Sequence, residues 1–196
     1  HPGDVTRNAF GNANHYSLCP SSPAARDYVV TRVQDITRNH KPDMLELESP
    51  GFMGFAHGYH HEKDGVGLNE EDDFLLSLCF CNHCAARAGK AGVPVEGARR
   101  TVTRFIAEFC ERAVPEKQFP DFPQAGIDAF RDHRDLHAYL AWRSEPVTSL
   151  IGAIRAAADP ATRIVLIDHK DAWLGGVDLT SAGRLCDGAI LCCYDM

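Results

Sequence analysis

Long apolar runs and basic clusters are both missing from this sequence. The longest apolar stretches, such as Ala189–Cys193, fall far short of the ~20 residues that span a bilayer. The only basic doublet is Arg99-Arg100, and 27 acidic residues outnumber 20 basic ones. These absences argue against a membrane protein and against nucleic-acid binding through phosphate neutralisation.

The overall composition is that of a globular protein. The chain has 196 residues, of which 44% are hydrophobic and 24% charged, and we expect a single domain over residues 1–196. The first residue is not methionine, and the last apolar run lies close to Met196. We therefore expect the chain to be a piece of a longer protein.

Cysteine is too scarce for a disulfide scaffold, since eight residues are about 4% of the chain. Three of the eight, Cys79, Cys81 and Cys84, form a Cys-x-Cys-x-x-Cys cluster. Clustered thiols indicate a metal site in a reducing, cytoplasmic compartment. Zinc prefers four such ligands, so we expect a structural Zn²⁺ in a cysteine-rich insertion at about 69–92. The candidates for the fourth ligand are Cys19, His83 and Cys110, of which Cys110 is expected to be a core residue. A group of buried or redox-active thiols is the alternative.

The order of predicted elements is that of an α/β protein. Residues 1–20 have no clear period and are expected to form a loop. The predicted helices cover about 23–39, 69–78, 95–114, 125–144 and 147–158, with Pro146 as an interruption. The predicted strands are Met44–Glu48, Arg163–Asp168 and Gly188–Tyr194. Strands that alternate with helices indicate parallel pairing with helical crossovers.

Carboxylates occupy one face of the first strand and the ends of the other two. Glu46 and Glu48 share a face because side chains alternate along a strand. Asp168 and Asp195 each end an apolar row at the C-terminal end of a strand, where α/β active sites form. The alternative is that each of the two aspartates caps a helix or is a solvated loop residue.

A histidine-rich loop follows the first strand. It contains His57, His60, His61 and Glu62, and its glycines argue against a helical zinc motif. Such a loop could bind a polar substrate or a metal ion, and an exposed polar loop is the alternative.

These motifs together resemble a known family. The segment Leu18-Cys19-Pro20-Ser21-Ser22-Pro23, the Glu46/Glu48 strand, the His57–Glu62 loop and the Leu78–Cys84 cluster look like bacterial glycoside-hydrolase-like barrel proteins. The cysteine layout is also similar to that of family 42 β-galactosidases, which are (β/α)₈ barrels with a structural zinc. The resemblance implies that Cys19, Cys79, Cys81 and Cys84 bind that zinc. It also implies that Glu48 is the general acid/base, at the end of the fourth barrel strand.

We therefore predict the central, incomplete portion of a (β/α)₈ TIM barrel that hydrolyses glycosidic bonds with paired carboxylates. Glu48 would protonate the leaving oxygen beside Glu46, and Asp195 or Asp168 would be the second carboxylate. His57, His60, His61 and Glu62 would bind the hydroxyl groups of a carbohydrate substrate.

Two other functions are compatible with the sequence. One is a metal-dependent hydrolase that uses His57, His60 and His61. The other is a non-catalytic carbohydrate-binding or assembly fragment, whose open strand edges would pair with a missing barrel half or a second copy.

Overall fold

The computed structural model describes residues 2–57, 68–114 and 116–192. The described strands are β1 (Val5–Arg7), β2 (Ala13–Leu18), β3 (Met44–Glu48), β4 (Arg163–His169) and β5 (Gly188–Cys192). The described α-helices are α1 (Pro23–Asp35), α2 (Glu70–Ser77), α3 (Asn82–Lys90), α4 (Val95–Glu111), α5 (Arg134–Trp142), α6 (Ser144–Ala157) and α7 (Leu179–Gly183). A π-helical turn (Ile36–His40) extends α1, and 3₁₀ turns cover Gly126–Phe130 and Ala172–Gly175.

The N-terminal segment is a hairpin and not the expected loop. Strands β1 and β2 pair antiparallel, with an irregularity between Val5 and Thr6. The Phe80 backbone N–H donates to the Arg7 carbonyl at 2.7 Å and so attaches the hairpin to the helical part of the molecule. The strand pattern is hidden in the sequence because most of β2 is polar or exposed, Tyr16 included.

The second sheet is parallel and has the order β3-β4-β5. In its register Glu48 lies beside Ile167, and Asp168 lies beside Leu191. The three strands were predicted from the sequence, and so was their parallel pairing.

The prediction of a (β/α)₈ barrel, whole or partial, is wrong. The described residues form five strands in two separate sheets, one of them antiparallel, whereas a barrel requires eight parallel strands in one closed sheet. The error has a physical origin, because alternating strands and helices are common to barrels and to open α/β sheets. The sequence pattern alone does not distinguish closure from an open sheet.

One face of the parallel sheet packs under α1 and α6. Ile164 and Leu166 of β4 are almost completely buried, and Leu45 and Leu47 of β3 pack beside them. Full burial of an aliphatic side chain of this size contributes about 1.5–3 kcal/mol. The opposite face carries Met44, Glu46 and Glu48, all exposed.

The remaining helices enclose an aromatic core. Phe74 of α2 packs against Phe122, Phe130 and Trp173, with ring centroids 5.0–5.8 Å apart. The sequence predicts that Pro146 interrupts a helix. In the structure Pro146 instead lies in the first turn of α6. A proline is tolerated there because the first backbone N–H groups of a helix have no acceptor within it.

None of the described helices is both long enough and apolar enough to cross a membrane.

Candidate functional site

Four cysteines converge beside the N-terminal hairpin. The sulfurs of Cys19, Cys79, Cys81 and Cys84 all lie within 4.8 Å of one another, and all four residues are buried. The Cys19 sulfur is 3.4 Å from that of Cys84 and 3.5 Å from that of Cys81. This group, which we call the cysteine centre, could hold a metal ion.

Local structure brings the four sulfurs together. Cys19 follows β2 directly, and Cys79 and Cys81 lie in the short link between α2 and α3. Cys81 is the N-cap of α3, and its sulfur accepts the backbone N–H of Cys84 at 3.5 Å. The backbone N–H of Arg7 points to the Cys79 sulfur at 3.3 Å. Backbone donors and a helix N-terminus both favour thiolates over thiols.

The protons are unequally shared among the thiols. Hydrogen bonds from Cys19, Cys79 and Cys84 lower the pKa of Cys81. Hydrogen bonding to Cys19 first, and burial in addition, raises the pKa of Cys79 and of Cys84. A metal ion must displace protons from these thiols when it binds.

The dimensions of the cysteine centre fit a tetrahedral ion. Four sulfurs at about 2.3 Å from a zinc ion stand about 3.8 Å from one another. The observed separations of 3.4 and 3.5 Å are close to that value. With four thiolates and complete burial, such a site has no open position for a substrate.

The two other candidates for the fourth ligand lie elsewhere. His83 directs its Nε2 atom to the Asp4 carboxylate at 3.6 Å. Cys110 is exposed on α4, so the prediction that it is a core residue is wrong.

A cavity of about 430 Å³ lies at the C-terminal ends of the parallel strands. It is the candidate active site, and we call it the strand-end cavity. Its acidic and histidine lining residues are Glu48, His57, Glu70, Asp73, Asp168 and His169. The structure thus brings together three residues singled out in the sequence, Glu48, His57 and Asp168.

Glu48 and Asp168 reach this cavity from opposite faces of the sheet. Glu48 shares its face with Ile167, whereas Asp168 shares its face with Leu166. They line one cavity because it covers the strand ends and not a face of the sheet.

The two carboxylates have different surroundings. Glu48 is exposed, whereas the Asp168 side chain is only 8% exposed. Burial raises the pKa of Asp168, although its carboxylate accepts the backbone N–H of His169 at 2.8 Å. Asp168 therefore keeps its proton to a higher pH than a fully solvated aspartate does.

Glu46 does not line the strand-end cavity. It borders a neighbouring groove whose lining includes Tyr16 of β2 and Arg26 of α1. The other predicted residues, His60, His61, Glu62 and Asp195, lie outside the described residues.

Three of the acidic and histidine residues that line the cavity were missed by the sequence analysis. Glu70 and Asp73 lie in the first turn of α2, where acidic residues also favour a helix start electrostatically. His169 ends β4, next to Asp168. The sequence held a signal for His169, because this residue follows a carboxylate at a strand end. It held none for Glu70 and Asp73, because the approach of α2 to the strand ends depends on long-range packing.

Backbone contacts hold the cavity walls in place. The Phe52 N–H donates to the Gly175 carbonyl at 2.8 Å, and a Cβ atom on Gly51 would collide with that same carbonyl. The Asp73 carboxylate accepts the N–H of Ala56 at 2.6 Å, and so anchors the segment that carries His57. The cavity is therefore built from the segments after β3 and β4 together with α2.

Within residues 2–57, 68–114 and 116–192, the cysteine centre is the one group of three or more histidine, cysteine, aspartate or glutamate side chains that lie close enough together to hold a metal ion. Comparison with protein-family models, with curated proteins and with solved structures finds no match to this chain.

Proposed function

We propose that the protein hydrolyses glycosidic bonds in the strand-end cavity and holds a structural zinc ion in the cysteine centre. The observation that carries the proposal is the pair of carboxylates, Glu48 and Asp168, on adjacent parallel strands around one cavity. Hydrolysis of a glycosidic bond requires two such groups, one that donates a proton and one that remains ionised.

The environments of the two carboxylates suggest their roles. Burial raises the pKa of Asp168, so Asp168 retains its proton to a higher pH than a solvated aspartate does. We assign it as the general acid. Glu48 is exposed and serves as the base or nucleophile. This assignment reverses the roles expected from the sequence, where Glu48 is the acid.

The charge of the lining favours a neutral or cationic sugar. Glu48, Glu70, Asp73 and Asp168 place four acidic groups around the cavity, against the two histidines His57 and His169. Such a lining repels anionic substrates. It also stabilises the positive charge that develops on the sugar ring in the transition state.

Zinc is the metal that best suits the cysteine centre. Four thiolates at tetrahedral spacing are a usual donor set for structural zinc, which stabilises the fold without touching substrate. When bound, the ion would tie the N-terminal hairpin to α3. The catalytic groups stay in the strand-end cavity.

The test is hydrolysis of a panel of neutral and amino-sugar p-nitrophenyl glycosides and oligosaccharides by the wild type and three variants. We expect Asp168→Asn and Glu48→Gln each to reduce kcat by at least about 100-fold, since each removes a proton-transfer or nucleophilic group. The control is Asp132→Asn, which alters an exposed carboxylate away from the cavity and should retain wild-type rates. Wild-type inactivity across the panel, or full activity in both cavity variants, would contradict the proposal.

A further inference from the structure

A positive charge is buried behind the wall of the strand-end cavity. Arg143 lies at the end of α5 and is only 2% exposed. Its guanidinium stacks over the rings of Phe52 at 4.6 Å and Phe74 at 5.6 Å. One nitrogen, Nη1, donates to the Leu174 carbonyl at 2.7 Å.

The rest of this guanidinium is unsatisfied. Its Nε and Nη2 atoms find no hydrogen-bond partner among the described residues. Burial lowers the pKa of Arg143 to about 10, so the side chain is still charged at neutral pH. A buried charge without a partner is strongly destabilising, which indicates that a negative group is needed nearby.

Three ionisable groups raise the pKa of Arg143 electrostatically and so oppose the effect of burial. They are Tyr139, and Cys79 and Cys84 of the cysteine centre. Tyr139 lies one helical turn before Arg143, its ring stacks on Phe80 at 4.8 Å, and its hydroxyl donates to the Cys79 carbonyl. Because a carbonyl oxygen can only accept, the Tyr139 hydroxyl carries the proton of this hydrogen bond and supplies no negative charge.

We propose that Arg143 is the counter-charge of the metal-loaded cysteine centre. Four thiolates and one divalent ion carry a net charge of −2, and Arg143 offsets part of it inside the protein. This inference rests on the proposed zinc site. It explains why the fold retains a buried arginine with only one hydrogen bond among the described residues.

The same side chain packs behind the strand-end cavity. Phe52, Phe74 and Leu174, which Arg143 contacts, all line that cavity, whereas Arg143 itself does not.

The experiment compares four proteins: the wild type, Arg143→Met, Arg143→Lys and Arg87→Met. Methionine removes the charge and keeps an apolar stem, whereas lysine keeps the charge and loses the planar fork. Arg87 is the matched control, because it lies on α3 with Cys84 but forms a surface ion pair with Glu145 at 2.7 Å. The affinity for Zn²⁺ is measured by competition with a chromophoric chelator, and melting temperatures are recorded with and without the ion.

We expect Arg143→Met to bind Zn²⁺ about 10- to 100-fold more weakly, in the range that loss of an outer partner of a metal site produces. Arg143→Lys and Arg87→Met should stay within about threefold of the wild type. In the metal-free proteins, Arg143→Met should melt at or above the wild-type temperature, because it removes an unpaired buried charge. With zinc bound, it should melt below the wild type.

The outcomes separate the two proposals. A wild type that binds no Zn²⁺ contradicts the zinc site itself. A wild type that binds Zn²⁺, with Arg143→Met binding equally well, overturns the counter-charge role alone. Equal losses in Arg143→Met and Arg143→Lys would also overturn it, because the effect would then come from the fork and not from the charge.

Discussion

Asp168 shows how the environment of one residue decides its chemistry. It ends an apolar row on β4, so the side-chain alternation that buries Leu166 also buries this carboxyl group. The residue next to it, His169, is exposed. Its backbone N–H donates to the Asp168 carboxylate at 2.8 Å, and its Nε2 atom lies 3.8 Å from that carboxylate. The sequence predicted both the position of Asp168 and its strand-end neighbourhood, but not its degree of burial.

Burial of Asp168 has a cost in stability that depends on pH. Because the folded protein has the higher pKa, ionisation of Asp168 above about pH 4 destabilises the folded state. We expect Asp168→Asn to raise the free energy of unfolding at pH 7, because the amide is neutral and can still accept the His169 N–H. The gain should vanish near pH 3, where the wild-type carboxyl is protonated in both states.

Urea denaturation at pH 3, 5 and 7 measures this difference. Asp132→Asn, at an exposed position, should show no such trend. A loss of stability at pH 7 in Asp168→Asn would contradict the effect of burial.

At the scale of elements, the sequence was most informative where burial gives a strong period. The alternation in Met44–Glu48 predicted β3. The helix predicted over about 69–78 is α2, whose N-cap is Asn69, and the Asn69 side chain accepts the Asp72 N–H at 2.9 Å. The hairpin was missed because β2 is mostly polar and exposed. Helix α3 was missed because its start is capped by a cysteine, Cys81, which is not a usual capping residue.

The walls of the strand-end cavity depend on a contact that no local pattern predicts. Gly51 follows β3 and Gly175 ends a 3₁₀ turn after β4, yet their backbones touch. The close approach requires a residue without a Cβ atom at position 51.

We expect Gly51→Ala to lower the free energy of unfolding by about 1–3 kcal/mol, the usual range for an overpacked site. The new methyl group meets backbone, which cannot rotate away as a side chain can. The matched control is Gly89→Ala in α3, where a Cβ atom meets nothing within 4 Å and should stabilise the helix by about 0.5–1 kcal/mol. Chemical denaturation of both variants is the measurement, and an unchanged Gly51→Ala would disprove the steric contact.

At the scale of the whole molecule, the sequence predicted the α/β class and the cysteine ligand set but not the architecture. Cys19 was chosen from three candidates, and the structure places it with Cys79, Cys81 and Cys84. The barrel was wrong because closure depends on how distant strands meet, and the three parallel strands carry no local sign of it.

Elemental analysis of the purified protein should find one zinc ion per chain. Cys19→Ser and Cys84→Ser should each lose the ion, because a serine hydroxyl is a poor substitute for a thiolate. Cys110→Ser, at an exposed cysteine outside the centre, should retain it. Zinc that persists after loss of both Cys79 and Cys81 would instead point to the histidine-rich loop, as in a metal-dependent hydrolase.

The spacing of the cysteines along the chain has a consequence for folding. Cys19 and Cys84 are 65 positions apart, so a metal ion that joins them closes a large loop of the unfolded chain. Closing a loop of that length by a covalent link costs an unfolded chain about 4 kcal/mol of entropy at 25 °C. The hairpin segment also accepts hydrogen bonds from two residues that are synthesised later, Phe80 and Arg99. During synthesis residues 2–20 therefore acquire these partners only after the chain has been made through α3 and into α4. A nascent chain that stops before residue 79 contains the hairpin residues but none of the three cysteines that face Cys19.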